Sequence, residues 1–173
     1  VESLTGCQIF KNICFSDERG HFIEAYKRSS FSIPPIRQTN ISKSTRHTVR
    51  GLHFQRNRPQ GKLVRVADGM VLDVVVDLRV GSPTYGKVEQ FLLTPEGISV
   101  YVPPGFAHGF WCLSETAIFH YGCTEEWDSE SDSGIHPMDP ELSLPWRNRS
   151  NLIFSEKDQK LPFLKDFKSH FRF

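Results

Sequence analysis

The chain has 173 residues, 38% of them hydrophobic and 24% charged, enough apolar matter for one core and too little length for two. Its 21 Lys and Arg against 20 Asp and Glu leave a net charge of +1, which excludes the broad basic field of nucleic-acid and membrane-surface binders. Cys7, Cys14, Cys112 and Cys123 show no CxxC spacing, no apolar run approaches the roughly 18 residues of a membrane span, and the first residues lack a basic-then-apolar leader pattern. A single-domain, soluble, cytoplasmic protein with reduced thiols is expected.

Strand signals follow in chain order at residues 21–26 (HFIEAY), 48–54 (TVRGLHF), 62–67 (KLVRVA), 70–78 (MVLDVVVDL), 88–93 (VEQFLL), 98–102 (ISVYV), 108–112 (HGFWC) and 116–122 (TAIFHYG). Turn chemistry separates them, in ADG, GSPTYG, TPEG and VPPG, so the chain reads as an all-β sandwich or barrel. Residues 70–78 alternate cleanly, with Leu72, Val74 and Val76 on a packed face and Asp73, Val75 and Asp77 on one carrying carboxylates. Residues 124–133, rich in Glu, Asp and Ser, read as a solvated loop or the rim of a site. Residues 156–173 suit one or two short helices, with Ser155 placed to open the first turn.

Chemistry concentrates in RGLHFQ at residues 50–55 and QGKLVRV at residues 60–66. Val49, Leu52 and Phe54 read as packing, so His53 stands on a strand that faces something concave, where a general base would be mounted. Arg50 and Lys62, cations on or beside sheet, need an anionic partner or water, and a phosphorylated small molecule would supply the anion. Arg50 and His53 are an odd number of residues apart and would face opposite sides of a regular strand, so either a bulge intervenes or Arg50 plays another part. His108 follows the VPPG turn, either satisfied by backbone or delivered to a site. Gln55, two residues after His53, is a poor metal ligand, and no second HxH or HxxxH occurs, so no metal is expected. Tyr121 alternates away from Ile118 and His120, and a phenol with a pKa near 10 can hold a proton at neutral pH and yield it to a carbanion or enolate. There is no GxSxG and no glycine-rich phosphate loop. Acid–base chemistry without covalent catalysis remains.

DERGHFIEAY, RQTNISKS, VRGLHFQ, QGKLVRV, LDVVVDLR with SPTYG, VPPGFAHGF, FHYGCT and LSLPW with FSEKD occur in this order from about Cys14 to Asp158. In them the chain resembles the nucleotide-sugar epimerases of the dTDP-4-dehydrorhamnose 3,5-epimerase type. The resemblance implies a dimeric cupin-type jelly-roll β-barrel with short C-terminal helices and no cofactor. It also implies roles: His53 the general base, Tyr121 the general acid, Asp158 the carboxylate that orients the histidine, and Lys62 the cation that stabilises an enolate oxygen. Arg19, Glu24, Gln38, Asn40, Arg50, His108, Trp127, Asp132 and Lys157 align with positions that hold the nucleotide diphosphate-sugar. Arg19 and Glu24 belong to an N-terminal arm that such dimers exchange. Three positions depart from the pattern: Gly122 stands where relatives often have lysine, Trp127 where a tyrosine stacks on the base, and Asp132 where a glutamate is usual. The implied activity is epimerisation at carbon 3, carbon 5 or both of a 4-keto-6-deoxyhexose linked to dTDP or CDP, in deoxysugar or surface-polysaccharide biosynthesis. A 3-epimerase, a 3,4-ketoisomerase, a non-catalytic sugar-binding cupin and a metal-dependent cupin are the rivals. Tyr121 argues against the ketoisomerase, and the joint presence of His53, Lys62, Tyr121 and Asp158 against a binding module.

Overall fold

Strand formation follows the apolar alternation closely in the computed structural model, which describes residues 6–173; the leader reading falls on the first residues, of which 1–5 lie outside those described. The strands are β1 (Gln8–Lys11), β2 (Cys14–Asp17), β3 (Gly20–Ile23), β4 (Gln38–Thr45), β5 (Val49–Gln55), β6 (Lys62–Asp68), β7 (Val71–Asp77), β8 (Val88–Leu93), β9 (Ile98–Val102), β10 (Phe106–Cys112), β11 (Thr116–Cys123) and β12 (Asp132–Gly134). One five-stranded sheet runs β1-β9-β6-β11-β4, a second runs β12-β5-β10-β7-β8, and β2-β3 form a separate hairpin. All of these pairs are antiparallel. The result is the all-β, cupin-type jelly roll that the residues and the resemblance imply.

Three apolar clusters explain why so many strands read as nearly continuous hydrophobic runs. Between the sheets lie Val64, Val66, Val75, Phe91, Val100, Phe106, Phe110 and Phe119. The outer face of the second sheet packs Leu52, Val74, Val76 and Ala107 against Ile135, Leu142, Trp146, Phe167 and Phe171 of the C-terminal segment. On the outer face of the first sheet, Leu63 and Tyr101 lie under Ile33 and Ile36. Both faces of β7 are therefore buried, and the carboxylate face is no solvent face: Asp73 and Asp77 are fully buried. Each such Val, Leu or Phe contributes about 1.5–3 kcal/mol of transfer free energy.

Differences from the sequence reading have local causes. The two C-terminal helices shrink to 3₁₀ turns of three residues, Asp158–Lys160 and Leu164–Asp166. Leu161 precedes Pro162 and is extended at φ −66°, ψ 149°, the conformation that a following proline favours. Residues 124–133 are not a wholly solvated loop, since Thr124, Ser131 and Ser133 are buried. The strand β4 carries too few apolar residues to announce itself, because its inward positions are polar and line a cavity rather than the core.

Candidate active site

Period-two alternation carries one set of side chains to the interior end of the sandwich that the apolar core leaves open. From the first sheet come Gln38, Asn40 and Ser42 of β4, Lys62 of β6, and Phe119 and Tyr121 of β11; from the second come Arg50, His53 and Gln55 of β5 and His108 and Phe110 of β10. They enclose two adjoining lobes. One, of about 460 Å³, is lined by Arg50, His53, Lys62, His108, Tyr121, Lys157 and Asp158 among others. The other, of about 350 Å³, adds Gln38, Asn40, Trp127 and Asp132. His53, Lys62 and Tyr121 border both. Lys157 of the first lobe is ion-paired with Asp132 of the second.

The bulge that would bring Arg50 and His53 to one face is present. His108 pairs with His53 and Phe110 with Arg50, so two steps of β10 oppose three of β5. Gly51 sits in it at φ 118°, where a Cβ would lie 2.6 Å from Gly109 Cα, so only glycine lets β5 and β10 approach here. Arg50 is thereby brought to the cavity with His53, its guanidinium donating to Ser44 Oγ at 3.0 Å and the Lys43 carbonyl at 3.3 Å.

Asp158, 105 positions along the chain, places Oδ1 2.6 Å from His53 Nε2. Its Oδ2 accepts the Gly51 N–H at 3.2 Å, and its own N–H donates to Ser155 Oγ at 3.0 Å, the turn-opening bond expected of that serine. Burial pushes the Asp158 carboxyl up, but His53, the Gly51 N–H and Ser155 outweigh it and hold the group below its ordinary range. An ionised carboxylate only accepts, so His53 donates through Nε2, and in the neutral imidazole the lone pair is then on Nδ1.

Lys62 and Tyr121 stand on the opposite wall. Burial lowers the Lys62 ammonium, with Cys123, Asp132 and Asp73 pulling it back. Burial raises the Tyr121 phenol, Cys123 and Asp132 add to this, and Arg50 opposes it, so the phenol is protonated at neutral pH. His108 is buried, its Nε2 2.7 Å from Asp73 Oδ1. Asp73 is a site residue that the sequence reading set on a face without a partner; its Oδ2 is buried and unpartnered among the described residues. Phe110, Phe119, Ser42 and Gln55 were missed as well. Their only signal is that they alternate in phase with His108, Tyr121, Asn40 and His53, respectively.

Two predicted residues do not join this cavity within the chain. Arg19 lies in the β2–β3 turn, 86% exposed, bonded to Asp17. Glu24, just beyond β3, is exposed beside Lys27. The other eleven border one lobe or both.

The sequence profile of the family described as dTDP-4-dehydrorhamnose 3,5-epimerase matches residues 2–166. The chain belongs to this family. The dTDP-4-dehydrorhamnose 3,5-epimerase of Methanothermobacter thermautotrophicus is 43% identical over 171 residues, covering 95% of this chain and 92% of that protein. The crystal structure of the Elizabethkingia anophelis enzyme of the same name superposes with a TM-score of 0.88 at 41% identity, over 98% of this chain and 97% of that one. A dTDP-6-deoxy-D-glucose-3,5-epimerase from Legionella pneumophila, solved with dTDP-4-keto-L-rhamnose, gives a TM-score of 0.92 at 34% identity, over 100% and 97%. As a member of the dTDP-4-dehydrorhamnose 3,5-epimerase family the chain is an isomerase of the sugar-epimerase type.

Proposed function

We propose that the protein epimerises a dTDP-linked 4-keto-6-deoxyhexose at carbons 3 and 5, through residues 1–173 acting as one cupin-type domain, in deoxysugar biosynthesis. The observation that carries the reading is the division of the cavity: a histidine whose Nε2 is held by Asp158, on the second sheet, faces a protonated tyrosine and a half-buried lysine on the first. Protons on the carbons beside a ketone are weakly acidic. His53 Nδ1 takes the carbon 3 proton while the C–H electron pair moves into the ring and the carbonyl oxygen becomes an enolate oxygen. The Lys62 ammonium stabilises that charge, best where water is excluded. Collapse of the enolate draws a proton from the Tyr121 hydroxyl on the other side of the ring, which inverts the centre. Solvent then returns a proton to the phenolate and removes one from the imidazolium. Asp158 holds the imidazolium by its negative charge.

Arg50, His108 and Lys157 serve the diphosphate and sugar, whose binding energy holds the ring in place. Trp127, with Gln38, Asn40 and Asp132, serves the nucleobase, the indole acting as a stacking surface. The β2–β3 hairpin exposes Phe15 and Phe22 with Arg19 between them in the turn, a composition suited to packing on a second copy. We read it as an arm exchanged in a homodimer that brings Arg19 and Glu24 to the partner's cavity. Cys14, Cys112 and Cys123, which form no disulfide, suit a reducing compartment such as the cytoplasm.

Proton NMR in heavy water with the dTDP-linked and CDP-linked 4-keto-6-deoxyglucose tests the reading. Deuterium at carbons 3 and 5 of the dTDP substrate is expected. Deuterium at carbon 3 alone would make it a 3-epimerase, a faster CDP reaction would change the nucleotide, and no exchange in either would overturn the enzymatic reading.

A further inference from the structure

Gln55 ends β5, two residues after His53, and is only 3% exposed. Its carboxamide is fully engaged. Nε2 donates to the Arg58 carbonyl at 2.8 Å and the Glu126 carbonyl at 3.3 Å, and Oε1 accepts the Asp128 N–H at 3.0 Å. The two later contacts bracket Trp127. The Trp127 N–H itself donates to Gln38 Oε1 at 2.7 Å from the opposite sheet, and Gln60 Nε2 donates to the Glu125 carbonyl at 2.9 Å. Peptide groups from four consecutive residues, 125–128, are thus held by three glutamine side chains. The indole they carry is 56% exposed, so its place is set by its backbone and not by packing of the ring.

We infer that Gln55 is a positioning residue that ties the Trp127 segment to the His53 strand and so sets how tightly the nucleobase is gripped relative to the reacting ring. The inference rests on the reading of Trp127 as the base-stacking surface. Gln55 reaches no reacting atom; it acts through the peptide groups on either side of Trp127. An amide suits the task because one end must donate and the other accept. Methionine has the same length and offers neither, and a charged glutamate offers only the acceptor.

The test is a double-mutant cycle on the full-length protein, reading KM and kcat for the dTDP-linked keto sugar and Kd for dTDP by calorimetry. Gln55→Met is expected to raise KM and the dTDP Kd about tenfold with kcat within about twofold. Trp127→Ala should raise the same two constants, and adding Gln55→Met to it should cost less than a further twofold. If the Gln55→Met penalty persists in full on the Trp127→Ala background, or falls on kcat, the inference is overturned while the stacking reading stands. Wild-type dTDP affinity in Trp127→Ala overturns the stacking reading and the inference with it. Gln55→Glu keeps the proposal testable should the methionine variant not fold. Its dTDP affinity should recover partway toward wild type as the pH is lowered and the carboxyl gains one hydrogen to donate to the Glu126 or the Arg58 carbonyl. A pH-independent deficit would refute the claim.

Discussion

Two histidine–aspartate pairs sit side by side in this cavity, in register across β5 and β10, with Nε2–Oδ1 distances of 2.6 Å for His53–Asp158 and 2.7 Å for His108–Asp73. Their surroundings push the carboxyls in opposite directions. Asp158 comes from a 3₁₀ turn, has its second oxygen on the Gly51 N–H, and is held below its ordinary pKa. Asp73 comes from the middle of β7, has its second oxygen unpartnered among the described residues, and is raised by burial, with His108 and Lys62 opposing. The lesson is that the pair alone does not define a base. The carboxylate that keeps its charge can support an imidazolium, and the second partner of its other oxygen helps decide whether it keeps it.

The sharpest way to break this contrast is to remove each histidine. His53→Ala should lower kcat on the order of 10²–10⁴-fold, the range that a positioned general base contributes, and abolish deuterium uptake at carbon 3. His108→Ala should retain uptake and show its loss mainly in KM. Uptake surviving in the first variant, or vanishing in the second, would exchange the roles. Next in size, Asp158→Asn should cost kcat about 10²-fold or more, because an amide can stabilise the wrong imidazole tautomer, whereas Asp73→Asn should cost far less. Tyr121→Phe sharpens the division between the two walls: it should still exchange protons with heavy water but fail to invert, and full epimerisation by that variant would place the donor elsewhere.

Smaller effects concern stability. The folded pKa of Asp158 is depressed, so its contribution is complete above about pH 4, near the unfolded carboxylate value, and is lost as pH falls through the folded pKa. Asp73 has the reverse sign: its raised folded pKa makes it a cost above about pH 4 that disappears in acid. Denaturant titrations between pH 3 and 7 should therefore show a flatter acid limb for Asp158→Asn and a gain near neutrality for Asp73→Asn. Lys62→Met should inactivate the enzyme yet raise Tm, since an ammonium whose pKa burial depresses is destabilising at neutral pH. A gain of about 1 kcal/mol would appear as about 2–4 °C, and a lowered Tm would show that Lys62 is net stabilising in the unliganded cavity.

How much of this was legible in the chain varies by residue, for physical reasons. His53 and Tyr121 stand among apolar neighbours of strong β propensity, so alternation alone says which way they point. The odd spacing of Arg50 and His53 left either a bulge or a different role for Arg50, and Gly51 and Gly109 make the bulge possible. Gln55 was seen only as a poor metal ligand, because its use depends on backbone groups of residues 58, 126 and 128 that nothing local specifies. The polar inward face of β4 hid that strand. Arg19 and Glu24, aligned with a nucleotide site, lie outside the cavity of their own chain.

By itself, then, the sequence determined the strand periods, the turn positions and the family. Tertiary structure alone decided that Asp158 meets His53 across 105 positions, that His53 and Tyr121 line one cavity from different sheets, that both faces of residues 70–78 are buried, and that two similar carboxylates keep different affinities for a proton. Periodicity is a property of neighbouring residues, whereas charge state and opposition across a cavity depend on groups that only the folded chain brings together.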